Sequence, residues 1–304
     1  MSNSDLFVLI QDTMNGFTPF YQQEMQQAVR DTGVTDGWFS LTIADAWKPQ
    51  PATAEKLNAL FPYSARKVFE DRLVDLEKHG YLKATGEAGA YQLTDSGLAA
   101  ARKPFEVARA KFAEIEMPLS TEKANQLLNL LKRVVNASFE APEPSDKSAI
   151  QYSRGTDPGH DSSLAAQIDQ YLTDLIRFRD DAHLAAWQPI GVSAHAWEAL
   201  TFIWRDGANS AAQLAEKLSF RQHSVEDYDS ALSELVARGW LTQANCDYAI
   251  TEAGLTVRTE AEAVTERYFF VGWTCLSEAE QSILKDLLAE LRDQLKIMTK
   301  DDSG

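Results

Sequence analysis

The stretch LVDLEKHGYL, from Leu73 to Leu82, recurs as LSELVARGWL from Leu232 to Leu241, at an offset of 159 residues (232 minus 73). Downstream, YQLTDSGL beginning at Tyr91 recurs as YAITEAGL beginning at Tyr248, at an offset of 157. The similar segments extend over about 130 residues of each half, which is too large for one unit of a solenoid. Each copy is therefore predicted to be a domain with its own core, and the chain to be an internal duplication.

Both copies predict the same order of helices and strands. A helical run ends at a glycine (Gly80 or Gly239), a short hairpin follows, and a threonine with an acidic residue after it begins the next helix (Thr94 or Thr251). Because a threonine side chain accepts a hydrogen bond from an otherwise unpaired backbone N–H, both threonines are predicted helix N-caps.

Apolar residues repeat with helical spacing in the helix that precedes each hairpin. Phe69, Leu73 and Leu76 of the first copy and Tyr228, Leu232 and Leu235 of the second copy fall at i, i+4 and i+7. This spacing places three side chains on one helix face, so we expect all six to be buried, together with Tyr91 and Tyr248.

Each copy has a second helix that ends in glycine and a hydrophobic pair, then a hairpin, the pattern LT..G and two long helices. This order resembles the MarR (multiple antibiotic resistance regulator) family of winged-helix proteins. The resemblance implies a mainly α fold with small β-wings. Members of that family dimerise through long first and last helices. The resemblance therefore implies two tandem winged helix-turn-helix domains, flanked by long helices and arranged as an intramolecular pseudo-dimer.

The domain boundaries follow from composition. The chain has 304 residues, which suits two domains. We predict a first MarR-like winged-helix domain over residues 1–138, a linker over 139–162 and a second such domain over 163–304. The linker region is rich in Pro, Ser, Gly and Asp and lacks helical periodicity. The alternative is that part of it packs as an extended strap.

Other classes of protein leave no signal in this sequence. No apolar run is long enough for a membrane span, and the N-terminus lacks the basic segment of a secretory signal, so we expect a cytoplasmic protein with no membrane contact. Five scattered histidines and two cysteines, Cys246 and Cys275, give no metal-ligand spacing. No catalytic or phosphate-binding motif is present, so we expect no enzyme activity, no metal and no cofactor.

The residues predicted to contact DNA are mainly basic residues of the first copy. In a helix-turn-helix the second helix lies in the DNA major groove, and basic side chains neutralise phosphates. The predicted DNA contacts are Ser64, Arg66, Lys67, Arg72 and Lys83. The second copy has His223, Val225 and Glu226 where the first has Ser64, Arg66 and Lys67, so its positive charge is lost.

The negative charge of the chain argues against DNA binding. Residues 53–93 carry six Lys/Arg and six Asp/Glu, whereas residues 209–250 carry three and six, and the whole chain has a net charge of −16. Such a field repels nucleic acid. The resemblance also implies a wing with Asp-x-Arg, whose Arg enters the minor groove, but neither hairpin here contains an Arg; Lys83 is the nearest substitute.

The segment RFRDDAHLAAW, residues 177–187, is rich in ionisable and aromatic residues and has no such counterpart in the first copy. One interpretation is a pocket for a small aromatic effector, of the kind that MarR-like proteins bind, lined by Arg179, Asp180, His183, Trp187 and Trp197. The alternative is a surface helix with local ion pairs and a tryptophan that seals the core.

Two further features have structural and functional interpretations. Trp38, Trp47, Trp197 and Trp204 recur at equivalent positions of the two copies, which favours core packing over a ligand stack. Neither cysteine has the cluster of basic residues that activates a redox sensor, which favours inert thiols.

The sequence therefore leaves two functions open. The first is a DNA-binding transcriptional regulator of MarR-like type, whose first domain makes most of the contacts with double-stranded DNA. The second is an acidic winged-helix protein-interaction module that binds a protein partner and no nucleic acid. The commonest use of the fold favours the regulator, and the surface charge of the second helices distinguishes the two.

Overall fold

The structure is a computed structural model that describes residues 3–205, 207–244 and 247–301. It is mainly helical, with two small antiparallel sheets, as the sequence predicts. Cys246, which we considered as a redox-active thiol, lies outside the described residues.

The N-terminal half contains seven helices and a three-stranded sheet within the described residues. In chain order these are α1 (Asn3–Phe17), α2 (Gln22–Asp31), α3 (Trp38–Ala46), β1 (Ala52–Thr53), α4 (Ala54–Leu60), α5 (Arg66–Lys78), β2 (Leu82–Ala84), β3 (Ala90–Leu93), α6 (Asp95–Glu114) and α7 (Thr121–Glu140). The strands are arranged in the order β1-β3-β2, and Leu82 pairs with Leu93. A hairpin thus separates Tyr81 from Leu93, as predicted.

The C-terminal half has the same order of elements. After α8 (Ser148–Arg154) come α9 (Leu164–Trp187), α10 (Ala194–Arg205), α11 (Ala211–Lys217), α12 (Val225–Ala237), β4 (Leu241–Ala244), β5 (Asp247–Ile250), α13 (Glu252–Phe269) and α14 (Glu278–Asp301). In the hairpin, Leu241 pairs with Ile250, at the positions equivalent to Leu82 and Leu93. One long helix, α9, stands where the first half has α1 and α2.

The long helices of both halves share one core. Helix α1 packs on α14 and α9, and α7 packs on α9 and α14, so the first and last helices of each half contact those of the other. Among the residues with no exposed surface are Ile10 of α1, Leu131 of α7, Leu172 of α9 and Leu288 of α14. Burial of apolar surface therefore holds the two halves together.

A smaller core lies under each hairpin. Leu57 of α4 and Leu73 of α5 belong to the core of the first half, and Leu214 of α11 and Leu232 of α12 belong to the core of the second. All six residues predicted from helical spacing are buried, whereas Tyr91 and Tyr248 are only partly buried. Both tyrosines lie on short strands at the edge of their cores, which explains their exposure.

The helix that follows each hairpin begins with the same contacts. The Thr94 hydroxyl accepts from Gly97 N at 3.0 Å and donates to Gly80 O at 2.7 Å; the Thr251 hydroxyl accepts from Gly254 N at 3.0 Å and donates to Gly239 O at 2.7 Å. Both predicted N-caps are therefore confirmed.

The glycine of the LT..G pattern is required by a close approach of backbone. A Cβ on Gly97 would lie 2.0 Å from Tyr81 O, and one on Gly254 would lie 2.3 Å from Trp240 O. In each half, this glycine lets the helix begin directly against the backbone of the aromatic residue that immediately precedes the first strand of the hairpin.

Part of the predicted linker is an ordered helix. Helix α8 packs on α9, where the Asp181 carboxylate accepts hydrogen bonds from Ala149 N at 2.8 Å and Ile150 N at 2.9 Å. Two turns earlier on α9, Asp174 accepts a hydrogen bond from the Ser153 hydroxyl at 2.6 Å. Helix α9 thus supplies the N-terminal cap that the sequence of α8 lacks, which is why periodicity alone did not predict α8.

Candidate functional site

The second helices, α5 and α12, begin side by side. Ala65 N donates a hydrogen bond to Arg221 O at 2.9 Å. The Nε2 atom of His223 lies 3.0 Å from Tyr63 O. Ala65 immediately precedes α5, and His223 lies two residues before α12. The two helix starts are thus joined by hydrogen bonds between the halves.

Ser64, one of the predicted DNA contacts, is buried in the structure. Helix α5 begins at Arg66, and Ser64 lies before it with 9% of its surface exposed. Its carbonyl accepts from Asn58 at 2.8 Å, and the Arg221 guanidinium reaches its hydroxyl at 3.4 Å. The contact between the halves therefore buries Ser64, and its side chain does not face DNA.

The other predicted DNA contacts are exposed to different degrees. Arg66 pairs with Glu70 at 3.0 Å and Lys67 with Asp71 at 2.7 Å, both on the outer face of α5. Arg72 is partly buried beside Phe69, with its guanidinium carbon 5.8 Å from the ring centroid, and burial lowers its pKa. Lys83 is exposed on β2. Arg66 and Lys67 are exposed but form ion pairs. Of the five predicted DNA contacts, Lys83 is the one that is exposed and forms no such ion pair with another described residue.

The outer faces of the second helices are acidic. The exposed charged residues of α5 and α12 comprise three basic ones, Arg66, Lys67 and Lys78, and seven acidic ones, Glu70, Asp71, Asp75, Glu77, Glu226, Asp227 and Asp229. Two of the three basic residues are paired with acidic neighbours on the same helix. The surface that a helix-turn-helix presents to DNA thus carries net negative charge here.

The spacing of the second helices also differs from that of a DNA-binding dimer. Such dimers place their second helices in successive major grooves, roughly 34 Å apart. The chain from Arg221 to Val225 has four Cα–Cα steps and spans at most about 14 Å even when extended. Since Arg221 O is hydrogen-bonded to Ala65 N, the starts of α5 and α12 lie much closer together than two major grooves.

The residues predicted to bind a ligand divide into two groups. Asp180 and His183 line a cavity of about 220 Å³ between the halves. Arg179 pairs with Glu262 and lies over the Phe7 ring at 4.3 Å, apart from the cavity lining. Trp187 and Trp197 are buried, and their rings are stacked with centroids 6.0 Å apart. The five residues lie near one another but do not form one continuous lining.

The cavity is built from both halves of the chain. Its lining consists of Leu60, Phe61, Pro62 and Tyr63 from the first half, Ala149 and Tyr152 from α8, and Arg177, Asp180, His183, Leu184 and Arg221 from the second. Burial, with Arg258 and Arg179 nearby, lowers the pKa of His183 to about 4. His183 is therefore neutral at pH 7 and can donate one hydrogen bond.

Two arginines beside this cavity, Arg221 and Arg258, were not predicted from the sequence. Arg221 pairs with Glu198 at 2.8 Å and lies over the Tyr63 ring at 5.5 Å. Arg258 is 8% exposed and lies over the Trp197 ring at 4.3 Å. The signal that could have identified Arg258 is its place in the helical pattern of α13, where a basic residue occupies a core position.

The four repeated tryptophans are not equally buried. Trp197 is 1% exposed, whereas Trp38, Trp47 and Trp204 are only partly buried. The indole N–H of Trp38 donates to Ala100 O at 3.1 Å, which ties α3 to α6. This contact agrees with a packing role for Trp38.

Cys275 is exposed, yet partial burial of its thiol raises the thiol pKa in spite of nearby Arg133. A protonated thiol is a poor nucleophile, in agreement with an inert Cys275. Over residues 3–205, 207–244 and 247–301, no three His, Cys, Asp or Glu side chains come together as a metal site requires. No helix in the same residues has the length and apolar character to cross a membrane.

Comparison with known proteins identifies a domain in the second half. Residues 165–298 match the model of a helix-turn-helix family. The C-terminal half of the chain therefore contains a helix-turn-helix domain, and the match includes α10 to α13 and the hairpin. No curated protein and no solved structure matches the chain.

Proposed function

We propose that the chain is a non-enzymatic, cytoplasmic protein of two tandem winged helix-turn-helix domains, arranged as an intramolecular pseudo-dimer, that binds a protein partner through an acidic surface. The domains are those predicted above, residues 1–138 and 163–304. The shared order of elements, the equivalent caps at Thr94 and Thr251 and the packing of first and last helices across the halves support this arrangement.

The charge of the second helices carries the functional part of the proposal. Seven exposed acidic residues against three basic ones repel phosphate and attract basic side chains. The matched helix-turn-helix domain contains α12, whose outer face bears Glu226, Asp227 and Asp229. Of the two functions left open by the sequence, the acidic surface favours the interaction module.

Exposed apolar side chains border the acidic residues at the start of α12. Phe220 is 60% exposed and Val225 40% exposed; Phe220 immediately precedes Arg221, and Val225 lies two residues after His223. We define the α12 surface as Phe220, Val225, Glu226 and Asp229. Apolar anchors within a charged rim are typical of protein interfaces. The partner that fits is a basic segment with at least one apolar side chain.

A charge-reversal experiment tests this surface. Fluorescence anisotropy with a labelled Lys/Arg-rich peptide that contains one Trp is expected to give saturable binding at moderate salt. Glu226→Lys with Asp229→Lys is expected to weaken that binding by at least about tenfold, because both contacts change from attraction to repulsion.

The matched control is Glu140→Lys with Asp286→Lys, which changes the net charge equally at exposed positions on α7 and α14. It is expected to keep most of the affinity. Equal losses in both double variants would show that only the net charge matters, and the α12 surface would then not be the binding site.

The second candidate function is DNA binding by the first half alone. Arg66, Lys67 and Lys83 lie on α5 and its hairpin, where a single helix-turn-helix would contact one major groove. A mobility shift with mixed duplex fragments at low salt tests it. A shift that Arg66→Ala with Lys67→Ala removes, with a smaller salt dependence, would establish this function and overturn the acidic docking proposal.

A further inference from the structure

A second and larger cavity, of about 700 Å³, lies where the first half meets the linker region and the end of α9. We call it the linker cavity. Its walls come from the end of α3 with the loop that follows, from α4, from the segment over residues 143–151, and from residues 181–189. None of the five residues predicted to bind an aromatic effector lines it. Its volume falls in the range of about 300–1,000 Å³ that is typical of ligand sites.

Three carboxylates, those of Glu143, Asp146 and Asp181, line the linker cavity, and none of them forms an ion pair with another described residue. Burial raises the pKa of Asp181 to about 7, and the negative charge of Asp146 acts in the same direction, so these two carboxylates lie close together. The neighbouring Lys147 does not neutralise them, because its ammonium donates to Phe139 O at 2.9 Å. This wall therefore carries negative charge that no cation of the described chain balances.

The wall that the first half contributes carries an unbalanced positive charge. Lys56 of α4 lines the linker cavity, and its ammonium donates only to neutral acceptors, Gln50 Oε1 at 3.3 Å and Pro51 O at 3.2 Å. Lys48 also lines the cavity, but it is paired with Asp45 at 3.2 Å. Lys56 and the three carboxylates belong to different walls and form no ion pair with one another. The cavity thus presents two separate charges of opposite sign.

The rest of the lining combines apolar side chains with amides. Trp47 and Tyr268, both partly buried, supply aromatic surface. Gln50, Gln151 and Gln188 also line the linker cavity, and each side-chain amide can both donate and accept hydrogen bonds. A peptide backbone carries the same two kinds of group, an N–H that donates and a C=O that accepts. The lining therefore suits a peptide with apolar side chains.

We propose that the linker cavity binds a short peptide with free termini, its ammonium group towards Glu143, Asp146 and Asp181 and its carboxylate towards Lys56. The two termini supply the charges that the cavity walls leave unbalanced. A free amino acid carries both charges on one carbon atom, whereas the charges of the cavity lie on different walls, so a peptide of about two to four residues fits better. The linker cavity is separate from the α12 surface, and neither proposal depends on the other.

Calorimetry with the full chain at pH 7 tests the site, with the tripeptide Ala-Leu-Ala as the probe. Two blocked forms of the same tripeptide separate the contributions of its termini: the N-acetyl form lacks the ammonium charge, and the C-terminal amide lacks the carboxylate charge. The free tripeptide is expected to give a saturable heat. Each blocked form is expected to bind at least about tenfold more weakly, because one charge of the cavity is then left without a partner.

Two variants assign each terminus to its wall. Lys56→Met is expected to weaken the free tripeptide by at least about tenfold and to leave the C-terminal amide unchanged, since the amide has no carboxylate for Lys56 to bind. Glu143→Gln with Asp146→Asn is expected to weaken the free tripeptide and to leave the N-acetyl form unchanged.

The matched controls are Lys132→Met on α7 and Asp286→Asn on α14, exposed positions outside the linker cavity, and both are expected to bind as the wild type does. Circular dichroism establishes that each variant is folded. The proposal is overturned if the free tripeptide gives no saturable heat, if either blocked form binds equally well, or if both folded cavity variants bind the free tripeptide with unchanged affinity.

Discussion

Replacing Arg221 with alanine tests how the two halves are held at the second helices. Its Nε and Nη2 donate to one oxygen of Glu198 at 3.2 and 2.8 Å, its Nη1 reaches the Ser64 hydroxyl at 3.4 Å, and its guanidinium lies over the Tyr63 ring at 5.5 Å. The side chain thus joins α10 of the second half to the segment that precedes α5 of the first.

The expected loss follows from the burial of Glu198. Its side chain is 11% exposed, and its second oxygen already lacks a partner, so Arg221→Ala would leave an unpaired carboxylate. Breaking a fully buried pair costs about 3–5 kcal/mol. Arg221 is 23% exposed, so water takes over part of its role, and about 2–3 kcal/mol is the appropriate range for the pair. The contact with Tyr63 adds about 0.5 kcal/mol.

Urea unfolding followed by circular dichroism at pH 7 measures this loss. Arg66→Ala is the control, because its pair with Glu70 has 59% and 52% exposed side chains and contributes under about 1 kcal/mol. Arg221→Ala with Glu198→Gln is expected to recover part of the stability, since the unpaired charge is gone. A loss for Arg221→Ala no larger than that of Arg66→Ala would refute the account of the contact between the halves.

Two further predictions concern local packing and pH. Gly97→Ala is expected to cost at least about 2 kcal/mol in the free energy of unfolding, because its Cβ would lie 2.0 Å from Tyr81 O, whereas Gly86→Ala, with open space around it, is expected to cost little; thermal unfolding of both variants would show it. Burial lowers the folded-state pKa of His183 from 6.5 to about 4, so the unfolded chain takes up the proton first and stability is lost as the pH falls from about 6.5 to about 4. The loss is on the order of 3 kcal/mol and is measured as the difference between the wild type and His183→Gln. Burial raises the pKa of Asp169 and of Asp181 to about 7, which changes the stability with pH in the opposite direction. Because the wild type and His183→Gln both contain these two residues, the difference cancels their effect. An unchanged difference over this pH range would contradict the assignment of His183 as a buried neutral group.

Local signals in the sequence predicted much of the fold. The caps at Thr94 and Thr251 and the buried faces of α5 and α12 depend on residues a few positions apart. Helical periodicity and capping therefore contain enough information to predict them.

The candidate site could be predicted only in part, because it depends on contacts between distant parts of the chain. Tyr63 and His223 are 160 residues apart in sequence, and no periodic pattern indicates that they meet. The same contact buries Ser64, which the sequence predicted to contact DNA. The composition of its segment singled out His183, which lines a cavity in the structure, whereas Arg258 was identified only from its burial.

The distance between the second helices distinguishes the hydrogen-bonded arrangement of the two halves from that of a DNA-binding dimer. Spin labels at Lys67→Cys and Glu226→Cys, both exposed positions, would be placed in a background with Cys246→Ser and Cys275→Ser and measured by double electron–electron resonance. We expect one population well below the roughly 34 Å between successive major grooves, unchanged by duplex DNA at low salt. A population near that distance, present in the free protein or appearing when DNA is added, would contradict it.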